Sequence, residues 1–203
     1  MNYIEEYAEQ LNALGRGEKT KIDVHFIVSE PMTSFCINVN QSIRKHNLGF
    51  INMDVESIIL PHISLFMGFV DNYDMLKEVF RVVHDYSKDI VPFSLDATNM
   101  YFTGVSPSAP QYLFIDFLQN DYLMKQKEIL DNRLNSIVYP IGWNMKEERA
   151  HITVGCYKNL TPDVRDLVNT YSIIPSCKIS QIGVSISGKR GVCLSLLKVF
   201  DLI

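Results

Sequence analysis

Pro61-His62-Ile63-Ser64-Leu65-Phe66 and Ala150-His151-Ile152-Thr153-Val154-Gly155 are two copies of one pattern: histidine, aliphatic, hydroxyl, aliphatic. Each reads as a strand, and each leads into a segment with a helix-start signal. Side chains alternate between the two faces of a strand, so His62 and Ser64 share one face while Ile63 and Leu65 take the other. By the same rule His151 and Thr153 stand opposite Ile152 and Val154. The aliphatics supply a core, and the polar pairs face a cleft. A lone histidine on a half-solvated strand is ordinarily a satisfied polar residue. With only 5 histidines in 203 residues, the doubled motif makes chance the weaker explanation. Two such strands side by side about a pseudo-twofold axis would present two imidazoles and two hydroxyls to one shared cleft.

Outward from the first motif, Tyr3, Ile4, Tyr7, Leu11 and Leu14 recur at helical spacing and stop at Gly15 and Gly17, which predicts a leader helix within residues 1–17. Residues 22–29 alternate as a strand, with Ile22, Val24, Phe26 and Val28 on one face and Asp23, His25, Ile27 and Ser29 on the other. A helix is expected over 33–45. The motif strand (61–70) is followed by a helix over 73–86 that Asp71 or Asn72 can cap. The second half repeats the order, with strands over 93–103 and 111–118 flanking a Pro-rich turn at 106–110 and a helix over 122–137. The second motif strand (150–157) precedes a helix that Thr161 caps with Pro162 at its first position. A hairpin over 179–187 and 192–200, joined by Gly188-Lys189-Arg190-Gly191, closes the chain. Strands mixed with helices, without strict β-α-β alternation, indicate an α+β fold.

With 47% hydrophobic and 21% charged residues, the chain can bury a core, and disorder or fibrous repetition is excluded. Lys plus Arg number 19 against 23 Asp plus Glu, a net charge of −4 that argues against a non-specific binder of long duplex nucleic acid. The start of the chain carries Glu5 and Glu6 and no apolar run behind them, so no signal peptide is expected. The longest apolar stretches, 63–70 and 112–118, fall far short of the roughly 20 residues that span a bilayer. The cysteines Cys36, Cys156, Cys177 and Cys193 show no CxxC spacing and read as free buried thiols, which points to a reducing cytoplasm. No P-loop, GxGxxG, HExxH or Gly-x-Ser-x-Gly elbow appears. A monomer without cofactor is expected.

Two imidazoles and two hydroxyls suit phosphodiester cleavage. A neutral imidazole takes a proton from the attacking oxygen while a protonated partner gives one to the leaving oxygen. The Ser64 and Thr153 hydroxyls can donate to the non-bridging oxygens, where charge concentrates. Neither motif carries a carboxylate ligand, so no metal site is expected in them. Phe66 and Tyr157 continue the polar faces by parity and could stack on a base, or simply pack. Arg149 lies on the same face as His151 and is a candidate phosphate contact, with a solvated strand end as its alternative. His25 is a candidate third contact if its strand borders the cleft. Lys189 and Arg190 at the hairpin tip read equally well as a solvated turn.

The paired motifs His62-Ile63-Ser64-Leu65 and His151-Ile152-Thr153-Val154, 89 residues apart, resemble those of the two-histidine (2H) phosphoesterase superfamily, in particular the branch of 2'-5' RNA ligases and cyclic phosphodiesterases. Pro61 before the first histidine and the strand 112–117 ahead of a long helix are similar to that layout, and the resemblance covers roughly residues 20–200. It implies a bilobal α+β fold in one 1–203 domain, with two pseudo-symmetric, intertwined lobes in 20–203, each an antiparallel sheet flanked by helices. It also implies His62 and His151 as acid and base, Ser64 and Thr153 as phosphate ligands, and a small nucleotide or short RNA as substrate. Ala150 stands where many members have Pro, and the leader helix is not an obvious family element. Substrate selection would fall to loops near 15–21, 103–111 and 141–149. The other function compatible with the sequence is a nucleotide- or RNA-binding module that keeps the cleft without turnover.

Overall fold

Alternating strands need a covered face, and here they share one large antiparallel sheet with helices packed on it. The computed structural model describes residues 3–47, 49–53, 59–104, 109–141, 149–158 and 160–203. The elements are α1 (Tyr3–Gly15), β1 (Thr20–Ile27), α2 (Met32–Arg44), β2 (His62–Val70), α3 (Tyr73–Ser87), β3 (Phe93–Leu95), β4 (Ala97–Thr103) and β5 (Gln111–Phe117). They continue with α4 (Asn120–Leu134), β6 (Tyr139–Pro140), β7 (His151–Tyr157), α5 (Pro162–Asn169), β8 (Cys177–Ile179), β9 (Gln181–Ser187), a 3-10 turn (Lys189–Gly191) and β10 (Cys193–Asp201). The main sheet runs β10-β9-β1-β2-β7-β5-β4, with β6 beside β2, and a second small sheet pairs β3 with β8. This is an α+β fold.

The main sheet consists of two antiparallel halves, β10-β9-β1-β2 and β7-β5-β4. Among the described residues a single residue pair joins them: Ile63 of β2 opposite Ile152 of β7, both fully buried. Beneath the sheet, Ile22, Val24, Phe26, Leu65 and Val154 meet the apolar stripes of α2, α3 and α4. The leader helix is docked: Tyr3 donates to the Phe50 carbonyl at 2.6 Å, and Glu6 accepts from the backbone N–H of Lys189 at 2.8 Å.

Several sequence expectations need correction. The strand expected over 93–103 is two strands in two different sheets. The break falls at Asp96, whose carbonyl accepts from Leu118 N–H while its own N–H donates to Gln119. Asn72 caps α3 by accepting from Met75 N–H at 2.8 Å, whereas Thr161 occupies the N-cap of α5 without a side-chain bond. Most of the Pro-rich turn at 106–110, and the loop expected at 141–149 apart from its ends, lie outside the described residues.

A larger correction concerns parity. In β2, Ser64 pairs with His25 and Phe66 with Val24, leaving Leu65 unpaired in a bulge. In β7, Thr153 pairs with Phe114 and Gly155 with Leu113, leaving Val154 unpaired at the same motif position. A bulge adds one residue and so flips the faces of everything after it. Phe66 and Tyr157, expected at the cleft rim, are therefore buried in the core at 1% and 0% exposure, and Met67 takes the cleft side instead. The carbonyl freed by the β7 bulge is satisfied from α2, where buried Asn40 donates through Nδ2 to Val154 O at 2.8 Å and accepts from Met53 N–H at 3.0 Å.

The β7 bulge rests on two checkable features. A Cβ at Gly155 would collide with the ring and hydroxyl of Tyr157, so Gly155→Ala is expected to cost about 1–3 kcal/mol in chemical denaturation, as overpacking does. Asn40→Ala strands two buried backbone groups and is expected to cost about 1–3 kcal/mol per group by the same measurement.

Candidate active site

The faces of β2 and β7 opposite the core bring the two motifs together. His62, Ser64, His151 and Thr153 line one cavity of about 290 Å³. Lys21 of β1, Met67 of β2, Tyr112 and Phe114 of β5, and Arg190 and Gly191 of the hairpin turn complete its wall. The Ile63–Ile152 pair lies between the motifs, one residue after each histidine, which places both imidazoles on the same face of the sheet, one on each side of the seam.

In the first half, His62 Nδ1 sits 2.8 Å from the Leu60 carbonyl and Nε2 3.3 Å from Asp23 Oδ2. Both partners only accept, so this geometry favours the doubly protonated ring. Burial disfavours the charged ring, but the Asp23 carboxylate and the carbonyls of Leu60 and Gly191 outweigh it and hold the His62 pKa above the ordinary imidazole value. Asp23 itself is fully buried. Burial opposes its ionisation, yet the hydrogen bond and positive charge of the neighbouring His62 imidazole keep its carboxyl well below the usual carboxylate range. Ser64 Oγ donates to Asp23 Oδ2 at 2.7 Å, so its proton orients the carboxylate.

His25 is not at the cleft surface. It is buried behind His62, with ring centroids 4.8 Å apart, and its Nδ1 lies 3.7 Å from Asp23 Oδ1, too long for a hydrogen bond. Burial holds its pKa below the ordinary imidazole value, which keeps the ring neutral.

In the second half, His151 Nδ1 lies 3.2 Å from the Arg149 carbonyl, and its ring stacks on Phe114 with centroids 3.6 Å apart and planes 20° from parallel. The two halves correspond in register. Asp23 pairs with the fifth residue after His62 and Tyr112 with the fifth after His151, while His25 and Phe114 face Ser64 and Thr153. A carboxylate and an imidazole on one side thus correspond to a phenol and a phenyl ring on the other.

Arg149 does not line the cavity; its guanidinium pairs with Asp116 Oδ2 at 2.7 Å. Arg190 does line it, delivered by a backbone in the left-handed region (φ 62°), with its guanidinium 4.1 Å from the centre of the Phe50 ring. Sequence reasoning missed Asp23, Lys21, Tyr112 and Phe114. Asp23 had a legible signal, since it shares a strand face with His25; the others depend on which strands become neighbours. Among the described residues, no group of three or more His, Cys, Asp or Glu is arranged to hold a metal ion. The four cysteines are buried and free. No helix among the described residues is long and apolar enough to cross a membrane.

No family model matches the sequence, and no curated protein matches it. Solved structures match the fold. TT0787 of Thermus thermophilus superposes with a TM-score of 0.64 at 13% identity, covering 90% of this chain and 97% of that one. E. coli LigT complexed with 3'-AMP gives 0.57 at 13% identity over 91% and 99% of the two chains. Usb1 of Kluyveromyces marxianus with uridine monophosphate gives 0.51 at 9% identity over 92% and 99%. At these identities the likeness is one of fold, and it agrees with the fold implied by the paired motifs: the chain has the fold of the two-histidine phosphoesterases.

Proposed function

We propose that this chain is a metal-independent phosphodiesterase that hydrolyses or opens a small nucleotide phosphodiester: a 2',3'-cyclic phosphate, a 2'-5' linkage or a cyclic oligonucleotide. The observation that carries this reading is the convergence of His62 and His151, with Ser64 and Thr153, on one cavity. One imidazole removes a proton from the attacking oxygen, and the other protonates the leaving oxygen. Lys21 and Arg190 supply positive charge for the phosphate, and Thr153 offers a hydroxyl donor to a non-bridging oxygen. A volume of about 290 Å³ is at the low end for small-molecule sites and fits one nucleotide unit around the scissile phosphate. The nucleotides bound by LigT and Usb1, 3'-AMP and uridine monophosphate, are single nucleotide units of that size. The reading places the enzyme as a monomer in the cytoplasm, where its four free thiols stay reduced.

A product-resolved assay on 2',3'-cyclic nucleotides, 2'-5' oligoadenylate and cyclic oligonucleotides tests it. The wild type is expected to turn over at least one substrate with a bell-shaped pH profile that survives a chelator, and His62→Ala and His151→Ala are each expected to lose about 10²–10⁴ in rate. Undiminished activity in both variants sinks the proposal. Tight binding of the panel without cleavage would instead mark a binding module.

A further inference from the structure

The leader helix α1 lies outside residues 20–200, where the resemblance to the phosphoesterases resides, and no described residue of it lines the cavity. We propose that α1 is a splint for the phosphate-binding wall: Tyr3, Glu6 and Gln10 are positioning residues that hold Arg190 and Lys21 where they receive the phosphodiester. The inference rests on the phosphodiesterase reading and deepens it, because it says what sets the affinity of that site.

Positions 3, 6 and 10 are spaced by three and four residues, so they share one face of the helix. Each is bonded to a different segment of chain. Tyr3 Oη donates to the Phe50 carbonyl at 2.6 Å, Glu6 Oε1 accepts from Lys189 N–H at 2.8 Å, and Gln10 Oε1 accepts from Lys21 N–H at 3.3 Å. The Gln10 carbonyl also accepts from the Thr20 hydroxyl at 2.9 Å. Two of these segments carry the lysine and the arginine that line the cavity: Lys21 itself, and Arg190 next to Lys189. Docking of the helix is supplied separately by Tyr7, Leu11 and Leu14, which pack into or against the core.

Arg190 needs the support. Its φ of 62° lies in the left-handed region, which a non-glycine residue keeps only where its surroundings impose it. Three contacts impose it here. Gly188 N–H closes the turn on the Val192 carbonyl at 2.9 Å, Glu6 holds the N–H of the preceding residue, and the guanidinium rests 4.1 Å from the centre of the Phe50 ring. Phe50 is itself pinned from both sides, since its N–H donates to the Cys156 carbonyl of β7 at 2.7 Å and its carbonyl accepts from Tyr3. Glu6 and Tyr3 thus reach one guanidinium by two routes, the backbone before it and the ring beneath it. Burial lowers the Lys21 pKa while Asp23 and Glu6 oppose that shift, so the Glu6 charge is felt at the cavity wall. By charge alone a carboxylate there weakens phosphate binding, so the sign of its effect separates positioning from electrostatics.

A double-mutant cycle tests the splint, read by calorimetric binding of 3'-AMP and by KM on the diester that the wild type cleaves. Arg190→Ala is expected to weaken binding and raise KM about 10–100-fold, the loss of a charge-assisted contact. Glu6→Ala and Tyr3→Phe are each expected to weaken binding about 3–10-fold with kcat less affected, since one hydrogen bond shifts the turn's population by no more than its own strength. Glu6→Gln keeps an acceptor oxygen and is expected to bind at least as tightly as the wild type. In an Arg190→Ala background, Glu6→Ala and Tyr3→Phe are each expected to change binding less than about twofold. Gln10→Ala is paired with Lys21→Ala in the same way. The NMR signal of the Arg190 Nε–H, shifted upfield by the Phe50 ring in the wild type, should return toward its ordinary position in Glu6→Ala and Tyr3→Phe and stay in place in Glu6→Gln. Glu6→Ala binding as tightly as the wild type or more so, losses that persist without Arg190, or Arg190→Ala binding like the wild type would overturn the proposal. If Glu6→Ala does not fold, Tyr3→Phe, which keeps the packed ring, completes the cycle. A wild type that shows this coupling on 3'-AMP yet cleaves no diester defeats the phosphodiesterase reading and leaves the splint standing, and a cleaving wild type without the coupling does the reverse.

Discussion

The whole site depends on one backbone pairing, Ile63 opposite Ile152. It is the described link between the two halves of the sheet, and each of its residues sits between the histidine and the hydroxyl of its motif. Because the side-chain period of a strand is two, a slip of one residue at this seam would send an imidazole and its neighbouring hydroxyl into the core. The aliphatic side chains prevent that slip. Both are fully buried, and exposing either would forfeit roughly 1.5–3 kcal/mol of apolar burial. Core packing on one face thus sets the spacing of the chemistry on the other.

The bulges extend the same logic. Each follows directly after the hydroxyl residue, so it leaves the histidine and hydroxyl on the cleft side and turns the next aromatic, Phe66 or Tyr157, inward. Behind one bulge lies Asn40, reaching from α2 to a carbonyl that lost its strand partner. The helix that follows β1 therefore supports the strand that carries the second motif.

Legibility followed the range of the interaction. The motif pair, the helices at 3–15 and 73–87, and the closing hairpin depend on residues close in sequence, and alternation or helical spacing reveals them. Phe66 and Tyr157 were misplaced because parity counts residues and cannot see a bulge, which exists only against a partner strand. The segment 93–103 alternates as one strand, yet Asp96 is bonded to residues 118 and 119 and divides it between two sheets. Lys21, Tyr112 and Phe114 reach the site through pairing with strands that the sequence alone does not order. Asp23 was visible as a face-mate of His25, but its importance appears only when β2 is set beside it and His62 and Ser64 arrive within bonding distance.

The two motif hydroxyls are not equivalent in the proposed chemistry. A hydroxyl has one proton to give, and that of Ser64 goes to Asp23. While that bond holds, Ser64 has none for a non-bridging oxygen, and donation from the motif hydroxyls comes from Thr153. The buried Asp23 charge also adds a negative potential on the side where an anionic substrate must sit. Lys21, on the same strand, and Arg190, held over Phe50 by a left-handed backbone, place positive charge on the cavity wall. A buried carboxylate beside the cleft would by itself repel the substrate, and the two cations on the cavity wall let the same cleft hold a phosphodiester.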